Sequence, residues 1–231
     1  MNQWTEIAAW RKERRLELIA RRVALDPRVR DAATQSLTRL LTEGFAVSAG
    51  TVVAFCWPYK GELDARFAVR HWRERGAVTA LPEVVARNSP LCFRKWWPGA
   101  PMRAGVMGIP VPDGTEVVVP DIALVPMVGW DDHGYRLGYG GGYFDATLAA
   151  LAPCPVAIGL SQELFRLETI FPVAHDIAMD FVVTEAAIYR AGGALQRVAV
   201  DRARALLAQL YAARHPPRAG AGAAELKSRD Q

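Results

Sequence analysis

The strongest constraint on this fold lies in residues 121–145, DIALVPMVGWDDHGYRLGYGGGYFD. The apolar run Ile122–Val125 is long enough for one buried strand and is stopped by Pro126. A polar turn then leads into a glycine-rich stretch, and apolar residues recur at helical spacing over 144–151, so we predict that a helix begins near Tyr143. The order of strand, glycine-rich loop and helix N-terminus is typical of an anion-binding cradle, in which backbone N–H groups converge on the ligand.

The side chains around these glycines carry the chemistry that an anionic ligand needs. Arg136 offers a planar fork of donors, and Tyr139 and Tyr143 offer flat faces with a polar tip. Asp145 can hold a magnesium ion that bridges phosphate oxygens. The other candidates, which would act through backbone N–H groups, are Gly138, Gly140, Gly141, Gly142 and Phe144. The alternative is a long hairpin or connection in which the glycines only serve turns and Asp145 only favours the helix dipole.

Strands alternate with helices along the rest of the chain, which predicts an α/β fold with a largely parallel sheet flanked by helices. Residues 98–120 are rich in Pro and Gly and predict a long ordered connection over the surface. We divide the chain into an α/β domain at 1–190, a C-terminal amphipathic helix at 191–214 and a disordered tail at 215–231. The predicted helices of the first part cover 4–24, 29–43 and 63–75, and the predicted strands cover 51–56, 78–81, 91–96, 155–160 and 180–184.

The first predicted helix places Arg11, Arg15, Leu18 and Arg22 on one face. Burial of an unpaired guanidinium is costly, so such a face is unusual in a core helix. From the sequence alone, the simpler interpretation is that the arginines extend to the surface and pair there. Residues 1–30 hold eight Lys or Arg against four acids and account for the whole net charge of +4. A basic segment of this kind suits nucleic acid, a membrane surface or a polyanionic small molecule.

The cysteine pattern and the apolar runs indicate the compartment. Cys56, Cys92 and Cys154 are far apart and odd in number, which argues against a disulfide framework and a Cys-based zinc site. The N-terminus lacks the apolar core of a signal peptide, and the longest nearly apolar run, Phe45–Trp57, is too short to span a bilayer. We therefore expect a soluble, cytoplasmic protein.

Three separated blocks resemble the 5-formyltetrahydrofolate cyclo-ligase family, also called methenyltetrahydrofolate synthetases. They are a strand that ends in LVP, the loop RLGYGGGYFD and the downstream segment FPVAHDIAMDFVVTE, and the resemblance covers about residues 4–186. It implies a three-layer α/β/α architecture similar to that of sugar-phosphate isomerases and CoA transferases. It also implies ATP- and magnesium-dependent cyclisation of 5-formyltetrahydrofolate to 5,10-methenyltetrahydrofolate, with release of ADP and phosphate.

The resemblance also implies how ATP and Mg²⁺ would be bound. Arg11 and Arg15 match basic positions that contact the ATP phosphates, and Asp176 would accompany Asp145 as a magnesium ligand. Without the resemblance, Asp176 reads as a turn-forming acid. The pair His175–Asp176 can also suggest a metal-dependent phosphohydrolase, but such a site needs further His and Asp ligands, and the chain has only four histidines.

The folate site is implied in the same way. Glu62 would hydrogen-bond the pterin, Trp57 would line its pocket, and Tyr139 and Tyr143 would contact the folate as well as ATP. The alternative for Glu62 is a first-turn acid that favours the dipole of the following helix. Residues 96–97 (WW) can form a stacking surface for an aromatic substrate, although such side chains are more often packing.

In the reaction that the resemblance implies, the formyl oxygen attacks the γ-phosphate, N10 closes the ring and phosphate leaves. Neither a Ser-His-Asp set nor a GxxxxGK[ST] loop is apparent.

Two other functions remain open: a sugar-phosphate or CoA-ester enzyme with the same cradle, and a non-catalytic nucleic-acid-binding module that uses residues 11–30. The cyclo-ligase interpretation predicts small-molecule substrates as the only partners, without nucleic acid or membrane, and a monomeric protein.

Overall fold

An eight-stranded sheet forms the centre of the computed structural model, which describes residues 3–215. Two smaller sheets, of three strands and two strands, lie beside it. In chain order the elements are α1 (Gln3–Val23), α2 (Pro27–Gly44), β1 (Val52–Ala54), α3 (Arg66–Arg73), β2 (Val78–Glu83), β3 (Cys92–Trp96), β4 (Met102–Ala104), β5 (Pro110–Pro112), β6 (Ile122–Pro126), β7 (Gly129–Asp131), β8 (Arg136–Leu137), α4 (Tyr143–Ala150), β9 (Val156–Leu160), β10 (Arg166–Leu167), β11 (Phe181–Val183), β12 (Ile188–Arg190), β13 (Gln196–Val198) and α5 (Val200–Arg214).

The large sheet has the strand order β13-β12-β11-β9-β6-β1-β2-β3. Its inner strands, from β11 to β2, pair in parallel, whereas β3, β12 and β13 pair antiparallel at the two edges. The chain leaves β1 toward one edge and leaves β6 toward the other, so the winding reverses between these neighbours. In open α/β sheets the crevice beyond the carboxyl ends of two such strands is the usual ligand site.

Alternating side chains of the central strands face two different cores. Ile122 and Leu124 of β6 pack with residues of α2, α3 and α5, including the fully buried Trp72. Ala123 and Val125 face the opposite side, where Leu148 of α4 covers the sheet. Helices therefore cover both faces of a mostly parallel sheet, which is the arrangement predicted from the alternation of strands and helices.

Most predicted elements are confirmed, but three segments predicted without strands contain hairpins, which are β4–β5, β7–β8 and β12–β13. Within 98–120, β4 and β5 pair antiparallel, with Pro110 and Pro112 in the second strand. Proline lacks the N–H that a ladder needs, so the prolines argued against a strand, yet they are tolerated at the edge of a two-stranded ribbon. The polar turn after Pro126 is likewise the hairpin β7–β8, in which the Asp131 carboxylate accepts hydrogen bonds from two turn N–H groups.

Two predicted helices begin later than expected. The helix predicted from residue 63 begins at Arg66, whose N–H donates to the Asp64 carboxylate at 2.9 Å. The helix predicted over 191–214 begins at Val200, because 196–198 pair with β12 as a further strand. The predicted tail, apart from His215, lies outside the described residues. Among residues 3–215, no helix has both the length and the hydropathy needed to cross a bilayer.

Helix α5 is attached to the sheet at several points. Ala203 and Leu207 are buried in the same core as α2 and α3. Arg214, in the last turn, forms an ion pair of 2.7 Å with Asp180 just before β11 and also donates to the carbonyl of Pro155. These contacts indicate that the helix stabilises the α/β domain.

We predict that Leu207→Ala lowers the free energy of unfolding by about 2–5 kcal/mol, because it removes a buried side chain from the main core. Urea denaturation of the full chain measures this effect. The exposed Gln209 on the same helix provides the control, and Gln209→Ala is expected to change stability by less than about 0.5 kcal/mol. Unchanged stability in Leu207→Ala would mean that α5 is an appendage to the 1–190 domain.

Candidate active site

A cleft of about 570 Å³ opens beyond the carboxyl ends of β1 and β6, where the winding of the sheet reverses. Cys56, which follows β1, and Pro126, which ends β6, both line it. The structure also brings to this cleft the residues that the loop pattern and the family resemblance assign to ATP, folate or magnesium: Arg11, Arg15, Trp57, Glu62, Arg136, Gly138, Tyr139, Gly140, Gly141, Gly142, Tyr143, Phe144, Asp145 and Asp176. Segments separated by more than 160 residues in sequence therefore meet in one cavity.

The glycine-rich loop turns sharply between β8 and α4. Gly140 and Gly142 have φ values of 95° and 63°, in the left-handed region that glycine adopts without steric cost. Helix α4 begins at Tyr143 and has no side-chain cap, so the first N–H groups of the helix are not satisfied by a capping side chain. Since residues 143–145 line the cleft, these N–H groups and the positive end of the helix dipole lie at its wall.

Arg136, which precedes this loop, and Asp145, which follows it, form an ion pair in which the arginine is buried. Nη2 of Arg136 lies 2.7 Å from Oδ1 of Asp145, and Nη1 donates to the carbonyl of Ile177 at 2.9 Å. The N–H of Ile177 donates back to Asp145 at 3.0 Å. Burial lowers the pKa of Arg136, while the charge of Asp145 opposes that shift. An arginine still remains protonated at neutral pH, so the pair places a fixed cation at the cleft.

The arginine face of α1 is turned inward, so the surface interpretation of these arginines is wrong. Arg11 forms an ion pair of 2.6 Å with Asp176 and donates to the carbonyls of Ile170 and Phe171. Arg15 donates to the carbonyl of Gly138, and its guanidinium packs against Gly140.

Arg15 is the arginine of this face that is available to a ligand. Within residues 3–215, no carboxylate lies within ion-pair distance of its guanidinium, whereas Arg11 and Arg136 are each paired. Burial lowers the pKa of Arg15, and the charge of Arg11 adds to that shift. A partly buried cation without a carboxylate partner is a favourable place for an anion.

Glu62 also lines the cleft and belongs to a hydrogen-bonded network. Tyr139 donates its hydroxyl proton to Oε1 of Glu62 at 2.7 Å, and the N–H of Tyr59 donates to Oε2 at 3.0 Å. Burial raises the pKa of Glu62, while the hydrogen bond from Tyr139 and the charge of Arg22 oppose that shift. Burial also raises the pKa of the nearby Cys56 thiol, which therefore stays neutral.

The aromatic residues divide between packing and lining. The ring centroids of Trp57 and Trp96 lie 5.4 Å apart, edge to face, and both residues pack against the main core. Trp57 also lines the cleft, but neither Trp96 nor the exposed Trp97 does. Of the two interpretations of residues 96–97, packing is therefore correct for Trp96.

One wall of the cleft was not predicted from the sequence. The tip of the β4–β5 hairpin contributes Val106, Met107, Ile109, Pro110 and Val111. Val106 is 50% exposed and Met107 is 60% exposed. Met107 has a φ of 57°, which is unusual for a residue other than glycine. The only signal in the sequence was apolar residues placed between glycines and prolines in a segment interpreted as a connection.

Comparisons with known proteins match this arrangement to one family. The sequence model of the 5-formyltetrahydrofolate cyclo-ligase family matches residues 7–185. A 5-formyltetrahydrofolate cyclo-ligase of Mycolicibacterium smegmatis is 31% identical over 180 residues, which are 74% of this chain and 91% of the relative. The cyclo-ligase of Escherichia coli K12 is 29% identical over 179 residues, which are 73% of this chain and 97% of the relative.

Solved structures with a similar fold carry a related name. A 5,10-methenyltetrahydrofolate synthetase of Aquifex aeolicus superposes with a TM-score of 0.66 at 26% identity, covering 81% of this chain and 96% of that one. The fold of a 5,10-methenyltetrahydrofolate synthetase of Mycoplasma pneumoniae is also similar, with a TM-score of 0.63 at 19% identity over 76% of this chain and 98% of that one.

The glycine-rich loop offers a matched pair of substitutions. A Cβ atom at Gly138 or at Gly142 would meet no heavy atom within 4 Å, but only Gly142 of the two has a left-handed φ. We predict that Gly142→Ala lowers the free energy of unfolding of the ligand-free protein by about 1–2 kcal/mol. Gly138→Ala is expected to be neutral or slightly stabilising. Equal effects in chemical denaturation would contradict the left-handed conformation of Gly142.

Proposed function

This chain belongs to the 5-formyltetrahydrofolate cyclo-ligase family, and from that premise we propose that it converts 5-formyltetrahydrofolate to 5,10-methenyltetrahydrofolate with ATP as co-substrate. The observation that carries this proposal is the cleft itself, which is lined by a glycine-rich loop with an uncapped helix start and by Glu62 together with aromatic and apolar side chains. The loop and the helix start suit a triphosphate, and we call them the phosphate side. Glu62 with the aromatic and apolar side chains suits a pterin, and we call this part the folate side.

The phosphate side has the groups that phosphoryl transfer requires. Such reactions depend on alignment and on neutralisation of the charge that develops on the phosphoryl oxygens. We assign the N–H groups of the Gly138–Phe144 segment to this role, together with the guanidinium groups of Arg15, Arg136 and Arg11. Because Arg15 has no carboxylate partner in the described structure, it can meet a phosphate without first breaking an ion pair.

The folate side is formed by Glu62, Trp57 and the apolar hairpin tip. A carboxylate accepts hydrogen bonds and therefore complements the N–H donors of a pterin ring. The indole of Trp57 and the side chains of Met107 and Ile109 give an apolar boundary for flat rings. Tyr139 and Tyr143, which lie between the two sides, would contact both substrates.

The carboxylates of the cleft fit a magnesium ion that arrives with the nucleotide. Mg²⁺ is usually held by one or two carboxylates together with substrate phosphates. Asp145 and Asp176 line the cleft, while residues 3–215 contain no group of three or more His, Cys, Asp or Glu side chains suited to hold a metal alone. We infer that these two aspartates are its ligands, and the bound ion would neutralise charge on the β- and γ-phosphates.

In the proposed reaction, the formyl oxygen forms a bond to the γ-phosphorus as the bond to the ADP oxygen breaks. N10 then attacks the formyl carbon, the carbon–oxygen bond breaks, and the oxygen departs in the phosphate. The N10 proton passes to solvent. The chain contributes by holding the formyl group and the γ-phosphate in line, which is the part of such a reaction that a rigid cleft can accelerate.

The other functions considered receive less support. Arg11 and Arg15 line the cleft and Arg22 is buried, so the arginine face of α1 is not a surface for a nucleic-acid backbone.

We also propose that the layered fold corresponds to that of sugar-phosphate isomerases and CoA transferases. The helices on both faces of the sheet support this proposal. The division at residue 190, the monomeric state and the cytoplasmic location stay predictions.

The experiment that tests the function is ultraviolet detection of the methenyl product with purified protein, ATP and 5-formyltetrahydrofolate. Phosphate release must depend on both substrates. Product formation without ATP, or the absence of product with both substrates present, would contradict the proposal. A sugar-phosphate or CoA-ester enzyme would release no phosphate in response to 5-formyltetrahydrofolate.

We predict that Asp145→Asn lowers kcat/KM by about a hundredfold or more, since charge stabilisation by a metal ion contributes several kcal/mol to such a transition state. Asparagine keeps an oxygen that can accept the Ile177 N–H, so the fold is expected to survive. Asp132→Asn is the matched control, because Asp132 lies outside the cleft and pairs with Arg166. Full activity in Asp145→Asn would remove this residue from the metal site.

A further inference from the structure

The turn that presents Glu62 to the cleft has an unusual backbone. Lys60 and Gly61 are consecutive left-handed residues, with φ values of 47° and 77°. A left-handed residue other than glycine costs about 1–2 kcal/mol, so such a conformation persists only where its surroundings hold it. The contacts of this turn therefore identify what fixes the position of Glu62.

Arg22 of α1 makes those contacts. Its Nε donates to the carbonyl of Lys60 at 2.9 Å, and Nη2 lies 3.4 Å from the carbonyl oxygen of Tyr59 as a long hydrogen bond. Nη1 donates to the carbonyl of Met127, just beyond β6, at 3.3 Å. The backbone of Arg22 also packs closely against Gly61: a Cβ atom at position 61 would lie 3.1 Å from the Arg22 carbonyl oxygen.

The same guanidinium reaches the two functional side chains of the turn and the glycine-rich loop. Nη2 of Arg22 donates to the hydroxyl oxygen of Tyr139, which in turn donates to Glu62. It also lies 3.7 Å from Oε1 of Glu62, and the side chains of Arg22 and Glu62 are only 3% and 7% exposed. Arg22 does not line the cleft itself, but it lines a cavity of about 20 Å³ that shares Cys56, Glu62 and Pro126 with the cleft.

We propose that Arg22 is a positioning residue that fixes the Glu62 carboxylate for recognition of the pterin ring, and that joins the Glu62 turn to the glycine-rich loop through Tyr139. This inference rests on the proposed function, since it assigns to Glu62 the pterin-binding role. No contact of Arg22 with either substrate is required. Its side chain acts on the substrate only through Glu62 and Tyr139.

The groups around Glu62 determine how its charge depends on Arg22. Glu62 faces Arg22 of α1 and Tyr139 of the glycine-rich loop. It also faces the N–H of Tyr59 in its own turn and the neutral thiol of Cys56, which follows β1. Within the described residues, Arg22 is the one cation within ion-pair distance of Glu62. Burial already raises the pKa of Glu62 and Arg22 opposes this shift, so loss of Arg22 raises the pKa further. The carboxylate would then protonate at a higher pH.

The test compares binding of 5-formyltetrahydrofolate by calorimetry in wild type, Arg22→Met and Arg22→Lys over a series of pH values from acid to neutral. We expect Arg22→Met to weaken folate binding by about tenfold or more, since it removes hydrogen bonds from a charged donor. Affinity should fall as Glu62 protonates, and the midpoint of that fall should move to higher pH in Arg22→Met. Arg22→Lys keeps the charge and should return the midpoint toward wild type, although one ammonium cannot replace the fork of donors.

The control is Arg21→Met, which removes an arginine from the adjacent position of α1, where the side chain is 46% exposed and pairs with Glu17. We expect wild-type folate affinity and an unchanged midpoint. Affinity for ATP measured alone should change by less than about threefold in Arg22→Met, because the phosphate side retains Arg15, Arg136 and the backbone N–H groups. Equal loss of ATP and folate affinity with no shift of the midpoint would indicate a merely structural role and would overturn the inference.

The outcomes separate this inference from the function on which it rests. If wild-type protein binds no 5-formyltetrahydrofolate, the proposed function fails. If wild type binds it and Arg22→Met binds equally well with the same midpoint, the function stands and the role of Arg22 is wrong. Should Arg22→Met not fold, Arg22→Gln removes the charge but keeps an amide donor, and it must also shift the midpoint to higher pH, or the inference is overturned.

Discussion

The structure depends on the burial of the arginine face of α1. Leu18 occupies the centre of that face and is buried with Val128, Leu137, Phe165 and Ile170 against the small three-stranded sheet. When this leucine packs, the helix carries the arginines on either side of it into the interior with it. Each guanidinium must then find acceptors, because a buried cation without partners is strongly unfavourable.

Those acceptors come from three segments that are far apart in sequence. Arg11 holds the segment from Ile170 to Asp176, Arg15 holds the glycine-rich loop at Gly138, and Arg22 holds the turn before Glu62. One helix therefore fixes the relative positions of the glycine-rich loop, Asp176 and Glu62. The sheet supplies the crevice at its reversal of winding, and α1 determines which loops surround it.

The cleft balances its charges pairwise, with one exception. Asp176 and Asp145 are matched by Arg11 and Arg136, and Glu62 is matched by Arg22. Arg15 is the guanidinium among these for which the described chain supplies no carboxylate. Compensated charges and one additional cation beside an uncapped helix start are the features on which the proposed phosphate site rests, and no P-loop lysine is needed for it.

The sequence was sufficient for features that depend on local pattern. The strand at 122–126, the helix at Tyr143 and the inner strands of the sheet follow from hydrophobic periodicity, and glycine spacing located the loop between them. The selected residues meet in one cleft, although their roles stay predictions. Sequence could not reveal the pairing of Arg11 with Asp176, because nothing local relates positions 165 residues apart.

Two further features were missed for physical reasons. The hairpin wall at 102–112 has short strands that contain prolines, so its pattern is that of a connection. The role of Arg22 was hidden because its partners are mostly backbone carbonyls, which any sequence provides.

A crystal structure of the protein with a non-hydrolysable ATP analogue and 5-formyltetrahydrofolate would test the proposed placement of both substrates in the cleft most directly. We expect the terminal phosphates at the N–H groups of residues 138–144, between Arg15 and Arg136, with the pterin hydrogen-bonded to Glu62. A triphosphate bound elsewhere, with the glycine-rich loop turned toward solvent, would contradict it.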